Sequence, residues 1–271
     1  MTTATTNRID STFSALRSQG KAAFVAYVCA GDPDMARSLE ILRALEQAGV
    51  DIIELGVPFS DPMADGIVNQ MAAHRALEAG ASLPGVLGLV RNFRRESELP
   101  IVLFTYLNPV YAYGFEAFHH EAAAAGADGV LLLDLPPDES ARNAELHELP
   151  DLRHIRLIAP TTPADRVPML ARASEGFIYY VSREGVTGAQ TDLAEGIADN
   201  VAAIKRHTDV PVAVGFGIST PAQAAEVARA ADGVVVGSAI VRRVQEHASD
   251  PDVARVVGDF VKPLVDAVKS V

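Results

Sequence analysis

The sequence predicts a (β/α)8 barrel of the TIM type, a single domain over residues 1–271 with an extra N-terminal helix. Three observations predict it. Short apolar runs recur eight times, helical stretches separate them, and no dinucleotide-binding fingerprint appears. Continuous rather than alternating apolar runs read as strands covered on both faces. Strand–helix alternation implies a parallel sheet, and eight such units without a Rossmann fingerprint favour closure over an open sheet. A chain of 271 residues has the size of one such barrel.

The elements follow in order. NRIDSTFSALRSQG (7–20) reads as the extra helix, with Phe13 and Leu16 covering the bottom of the barrel. The eight strands are FVAYVCA (24–30), DIIEL (51–55), IVLFTY (101–106), GVLLLD (129–134), IRLIAP (155–160), FIYYVS (177–182), VAVGF (212–216) and GVVVG (233–237). MARSLEILRALEQAG places Leu39, Leu42 and Leu45 on one stripe, with Gly49 just past the helix end. Residues 66–99 hold two helical pieces, and DRVPMLARAS and PAQAAEVARAA are shorter helices of the same kind. A weak repeat supports the layout. AGVDIIEL, AGADGVLLL and ARAADGVVVG each close an Ala-rich helix, turn at an Asp and enter a strand. The sequence holds no linker, no low-complexity segment and no second domain.

Composition excludes several functions. A net charge of −12 disfavours nonspecific binding of nucleic acid or an anionic membrane. A small anionic ligand, which reads only its local site, remains compatible. The single cysteine, Cys29, builds neither a disulfide framework nor a cysteine zinc site, and reads as a small core residue. The seven histidines have no metal-ligand spacing; His119 and His120 are adjacent and diverge on a helix. The polar start MTTATTNRIDS lacks an apolar signal region, and no apolar run has the length of a membrane span. The expectation is a cytoplasmic protein.

The stretch ELGVPFSDPMADG (54–66) carries three acids. Barrel chemistry sits at strand C-termini and on the loops that follow. Strand alternation sends Ile52 and Glu54 to one side, Ile53 and Leu55 to the other. If the latter pair faces the helices, Glu54 points into the mouth. Desolvation there raises its pKa, as an acid–base group working near neutral pH requires. The competing reading is a buried Glu paired with an Arg or a backbone amide. Asp65 and Asp61 lie in a Pro- and Gly-rich loop, where an acid also serves simple turn chemistry.

Glycines mark an anion site. SREGVTGA, GFGIST and GSAIVRR follow the sixth, seventh and eighth strands. Gly217, Gly237 and Ser238 stand where barrels bind phosphate with loop amides and a helix N-terminus. Plain turn glycines are the alternative. Tyr106, Tyr111, Tyr113, Tyr179 and Tyr180 sit near strand ends, as core residues or as contacts for an aromatic ligand.

These motifs together resemble the tryptophan synthase alpha subunit family. The resemblance rests on ELGVPFSDPMADG, on AGDPD after the first strand, and on GVTGA, GFGIS and GSAIV after the last three. It runs along essentially the whole chain. It implies a lyase of tryptophan biosynthesis that cleaves indole-3-glycerol phosphate to indole and glyceraldehyde 3-phosphate, with no metal or organic cofactor. Carried over by motif, Glu54 is the acid–base residue, Asp65 accepts the indole N–H, and Tyr179 lies beside Glu54. Tyr27, Phe104 and Phe216 flank the indole. Gly188, Gly217, Gly237 and Ser238 hold the phosphate, and Thr187 reaches toward Asp65 from a mobile loop. Pro58 and Asp61 face a beta subunit in an alpha2-beta2 heterotetramer.

The chain departs from the family pattern in three places. Ile67 stands where proline is usual, Asn69 where an aliphatic residue is usual, and Tyr27 where phenylalanine is common. Other readings stay open on the sequence: an isomerase or decarboxylase on another sugar phosphate, a stand-alone indole-releasing lyase, and a largely non-catalytic activator of the beta subunit.

Overall fold

The computed structural model describes residues 7–135, 152–182, 196–215 and 217–271. Nine parallel strand segments form one sheet: β1 (Ala23–Cys29), β2 (Ile52–Gly56), β3 (Ile101–Thr105), β4 (Gly129–Leu132), β5 (Arg153–His154), β6 (Arg156–Ile158), β7 (Ile178–Val181), β8 (Val212–Gly215) and β9 (Gly233–Val236). Their order is β5-β4-β3-β2-β1-β9-β8-β7-β6. The two ends of that order, β5 and β6, are consecutive in the chain, so the ring closes through Ile155. The fifth strand is thus two short pieces, not the single run 155–160 expected. β5 pairs with β4 and β6 pairs with β7. The break redirects one strand between two neighbours.

The helices are α1 (Arg8–Ser18), which caps one end of the barrel, and, around it, α2 (Met35–Gln47), α3 (Ile67–Glu78), α4 (Leu83–Phe93), α5 (Leu107–Tyr113), α6 (Phe115–Ala125), α7 (Val167–Ala173), α8 (Ile197–Lys205), α9 (Pro221–Ala228), α10 (Ser238–Glu246) and α11 (Val253–Lys269). α2 starts at Asp34, whose side chain accepts the Arg37 N–H. Gly49 follows its end at φ +91°, a left-handed conformation that glycine adopts without a Cβ clash. Leu42 and Leu45 are fully buried and Leu39 partly so. The segment 66–99 holds α3 and α4, two helices as expected. Tyr111 and Tyr113 do not sit at a strand end; they lie on α5.

Strand alternation divides the core in two. Ile53 and Leu55 pack outward against the helices, while Ile52 joins Ala23, Val25, Val102, Leu131, Phe177, Ala213 and Val235 inside the barrel. Ile9, Phe13 and Leu16 of α1 close the bottom of that interior, with the Phe13 and Phe177 rings 5.7 Å apart. Buried aromatic pairs of this kind add about 0.5–1.5 kcal/mol beyond their area.

The repeated Asp has a structural role. Asp51 accepts the N–H of Phe24, Asp128 that of Ile101, and Asp232 that of Val212. Each acid, at the start of one strand, holds an amide at the start of its neighbour and so fixes the register. Each also meets a cation: Lys269, Arg94 and Lys205 respectively.

Candidate active site

At the top of the barrel Glu54 ends the inward face of β2. Its register partners are Tyr27 on β1 and Val102 on β3. Glu54 is 1% exposed, and neither carboxyl oxygen has a hydrogen-bond partner among the described residues. The Arg or amide partner of the competing reading is therefore not found there. Burial alone pushes its pKa up to about 8. Near neutral pH the carboxyl holds its proton.

Asp65 is held differently. Tyr106, just past β3, donates its hydroxyl to Asp65 Oδ2 at 2.8 Å. Asn69 Nδ2 donates to Oδ1 at 3.4 Å, and Gln70 Nε2 to the Asp65 carbonyl at 2.8 Å. The Tyr106 oxygen in turn accepts the Ala64 N–H at 3.0 Å. Burial raises the Asp65 pKa, while the bonds from Tyr106 and Asn69 oppose that rise. Two acids at one mouth are thus set apart, one desolvated without a partner and one buried but held by hydrogen bonds.

The tyrosines frame both acids. Tyr27 is buried and crosses Phe104 edge-on, ring centroids 5.1 Å apart. Enclosure first, then the charges around it, including Asp65 and Glu54, drives the Tyr27 hydroxyl well above its usual pKa. The same order of causes, with Glu54 and Asp65, acts on Tyr179. Both hydroxyls stay protonated. Two glycines give them space. A Cβ on Gly56 would stand 2.5 Å from the Tyr27 oxygen, and one on Gly215 2.5 Å from that of Tyr179. Tyr180 points the other way, into the sheet–helix core.

The glycine-bearing elements expected to bind an anion stand at the same end. Gly237 precedes α10 as its N-cap without a side-chain cap, and Ser238 opens the helix. The first amides of a helix have no intrahelical partner and attract an anion. Gly217 has φ +72° and open space around it. Gly237 packs against Tyr27: a Cβ there would lie 3.3 Å from the Tyr27 Cβ. The start of α10 and the aromatic side of the mouth therefore share one residue contact. Thr187, Gly188 and Phe216 lie outside the described residues. Pro58 is buried within the chain; the exposed part of its loop carries Asp61 and Met63, the latter 91% exposed.

The family model described as tryptophan synthase alpha chain matches residues 13–264. The chain belongs to the tryptophan synthase alpha chain family. Among curated relatives, the tryptophan synthase alpha chain of Opitutus terrae is 50% identical over 260 residues, 94% of this chain and 98% of the relative. That of Desulfatibacillum aliphaticivorans is 48% identical over 261 residues, 96% of this chain and 98% of the relative. Among solved structures, tryptophan synthase subunit alpha from Legionella pneumophila is 36% identical at a TM-score of 0.87, covering 98% of this chain and 100% of that one. A Mycobacterium tuberculosis tryptophan synthase structure is also 36% identical at 0.87, covering 97% and 98%.

Sequence reasoning missed three residues that shape this mouth. Tyr106 was one tyrosine among several near strand ends. Gly56 and Gly215 carried a usable signal: each sits two residues beyond the register partner of an inward tyrosine on the adjacent strand.

Proposed function

We propose that this chain cleaves indole-3-glycerol phosphate to indole and glyceraldehyde 3-phosphate in tryptophan biosynthesis. The observation that carries the reading is the pairing of Glu54, buried without a partner, with Asp65, held by Tyr106 and Asn69, at one barrel mouth.

The step follows from that arrangement and from the proton that Glu54 holds. Glu54 gives its proton to indole C3, which leaves positive charge on the ring nitrogen. Asp65 accepts the ring N–H and stabilises that charge. The Glu54 carboxylate then takes the proton of the adjacent glycerol hydroxyl. That oxygen forms the aldehyde C=O, the carbon–carbon bond to C3 breaks, and its electrons restore the aromatic ring. Glu54 ends protonated, ready for the next turnover. In this reading Tyr27, Phe104 and Phe216 flank the ring, Tyr179 lies beside Glu54, and Thr187 reaches toward Asp65. Gly188, Gly217, Gly237 and Ser238 hold the phosphate. No step calls for a metal or organic cofactor.

The working assembly in this reading is an alpha2-beta2 complex with a tryptophan synthase beta subunit, in the cytoplasm. Asp61 on the exposed loop supports a partner surface there, and so do the exposed side chains of Met63, Ile67 and Met71. No helix of the described residues is long and apolar enough to cross a membrane. A second reading, the stand-alone lyase, is favoured by one observation: Asp65 is already bonded by Tyr106 and Asn69 in the isolated chain. A steady-state assay of indole release, with and without beta subunit, tests both. No indole under either condition overturns the function.

A further inference from the structure

Among the described residues, the buried side-chain oxygens without a hydrogen-bond partner belong to two residues: both of Glu54, and Oδ1 of Asn69. Leaving a buried acceptor unpaired forfeits the hydrogen bond it made to water. Such a group calls for an explanation, and a ligand that fills the bond is one. For Glu54 the site already supplies the reason. Asn69 has none yet.

Its placement supplies one. Residues 69, 72, 73 and 76 form one stripe of α3, and Ala72, Ala73 and Ala76 pack inward beside Tyr27, Cys29 and Phe104. Asn69 is the single polar member of that stripe, one turn nearer the mouth. Its orientation is fixed chemically. Asp65 Oδ1 stands 3.4 Å from Asn69 Nδ2. A carboxylate repels an amide oxygen and attracts an amide N–H, so Oδ1 is turned away from Asp65. The other side chains of the stripe are alanines and offer it no donor.

We propose that Asn69 is a specificity residue of this site: its amide N–H steadies Asp65 while its carbonyl oxygen accepts a hydrogen bond from a donor on the bound aromatic ring. The inference rests on the reading of the mouth as an indole site. Unsubstituted indole carries one N–H, which Asp65 takes. The second acceptor therefore selects a ring bearing one further N–H or O–H on the edge nearest α3. An aliphatic residue at this place, as the resembled family pattern has it, lacks the acceptor. A site that holds a polar group for a ligand hydroxyl discriminates far more strongly than an apolar one, because the unfilled group stays unpaired.

The test uses indole and the hydroxyindoles with the hydroxyl on each benzo carbon in turn, with binding measured by calorimetry on the wild type, Asn69→Leu and Asn69→Ala. Indole release from indole-3-glycerol phosphate is assayed in parallel. One hydroxyindole isomer binds the wild type more tightly than indole does. In both variants that preference falls about tenfold, which corresponds to about 1.4 kcal/mol, while indole itself still binds. Two variants of different size separate loss of the acceptor from a packing effect. If the wild type releases indole but prefers no isomer, or if the variants keep the preference, Asn69 has no such role and the function stands. If the wild type neither releases nor binds indole, the site reading fails and this inference with it.

Discussion

Tyr179 lies over Gly215 so closely that a single methyl group on the glycine would stand 2.5 Å from the tyrosine oxygen. The two residues face each other from neighbouring strands, Tyr179 being paired in register with Ala213 on β8. The tyrosine keeps its place in the mouth because the adjacent strand offers no side chain there.

Gly215→Ala therefore displaces Tyr179, and it also meets Val235 at 2.9 Å. Overpacking of this kind costs about 1–3 kcal/mol. The expected outcome is a lower midpoint in denaturant together with weaker indole release. Adding Tyr179→Phe removes the nearest clashing atom and recovers part of the stability but not the activity. If the double variant is no more stable than Gly215→Ala alone, this contact does not set the cost.

Glu54→Gln removes the acid–base group and keeps its shape. Indole release falls at least about 100-fold, within the range for such groups. The pH behaviour follows from a folded-state pKa of about 8, above the unfolded value. The folded chain binds more protons than the unfolded one in that window, so Glu54 lowers stability as pH rises through it. The Glu54→Gln variant thus gains thermal midpoint over the wild type at alkaline pH and little at about pH 5. The kcat/KM of the wild type declines on the alkaline side with an apparent pKa near 8. An equal gain at every pH contradicts the desolvated-acid account.

Tyr106→Phe deletes the hydroxyl that donates to Asp65 and accepts from Ala64. Hydrogen bonds to charged groups contribute about 1.5–3 kcal/mol, so kcat/KM falls roughly tenfold or more. The Asp65 pKa rises further, and the acid limb of the kcat/KM profile moves up. A variant with wild-type kinetics at every pH shows that Asn69 alone suffices to hold Asp65.

Ile67 is the first residue of α3 and 66% exposed. Proline suits that helix position, where the N–H has no intrahelical partner. Ile67→Pro fixes φ in the loop that carries Asp65. The basal rate rises, and the activation by a beta subunit, at least about tenfold for the wild type or about 1.4 kcal/mol, shrinks. Indole release by both chains, each with and without beta subunit, measures this. An unchanged activation ratio separates loop order from partner action.

The sequence by itself determined the period of the fold. Apolar runs covered on two faces, separated by amphipathic helices, leave few architectures that bury both, and residue parity along β2 aimed Glu54 inward. It also determined the extra helix, because Phe13 and Leu16 need an apolar surface to cover. Local pattern could not decide the split of the fifth strand, since the break at Ile155 depends on which neighbour each half pairs with. Nor could it tie Tyr106 and Asn69 to Asp65, or Gly56 and Gly215 to the tyrosines they make room for. Tyr106 and Asp65 are distant in sequence and meet only when β3 and the loop before α3 are brought to one rim. The two glycines matter through side chains on other strands. Periodicity reports which face a residue takes; the contact across the barrel mouth exists only once the sheet has closed.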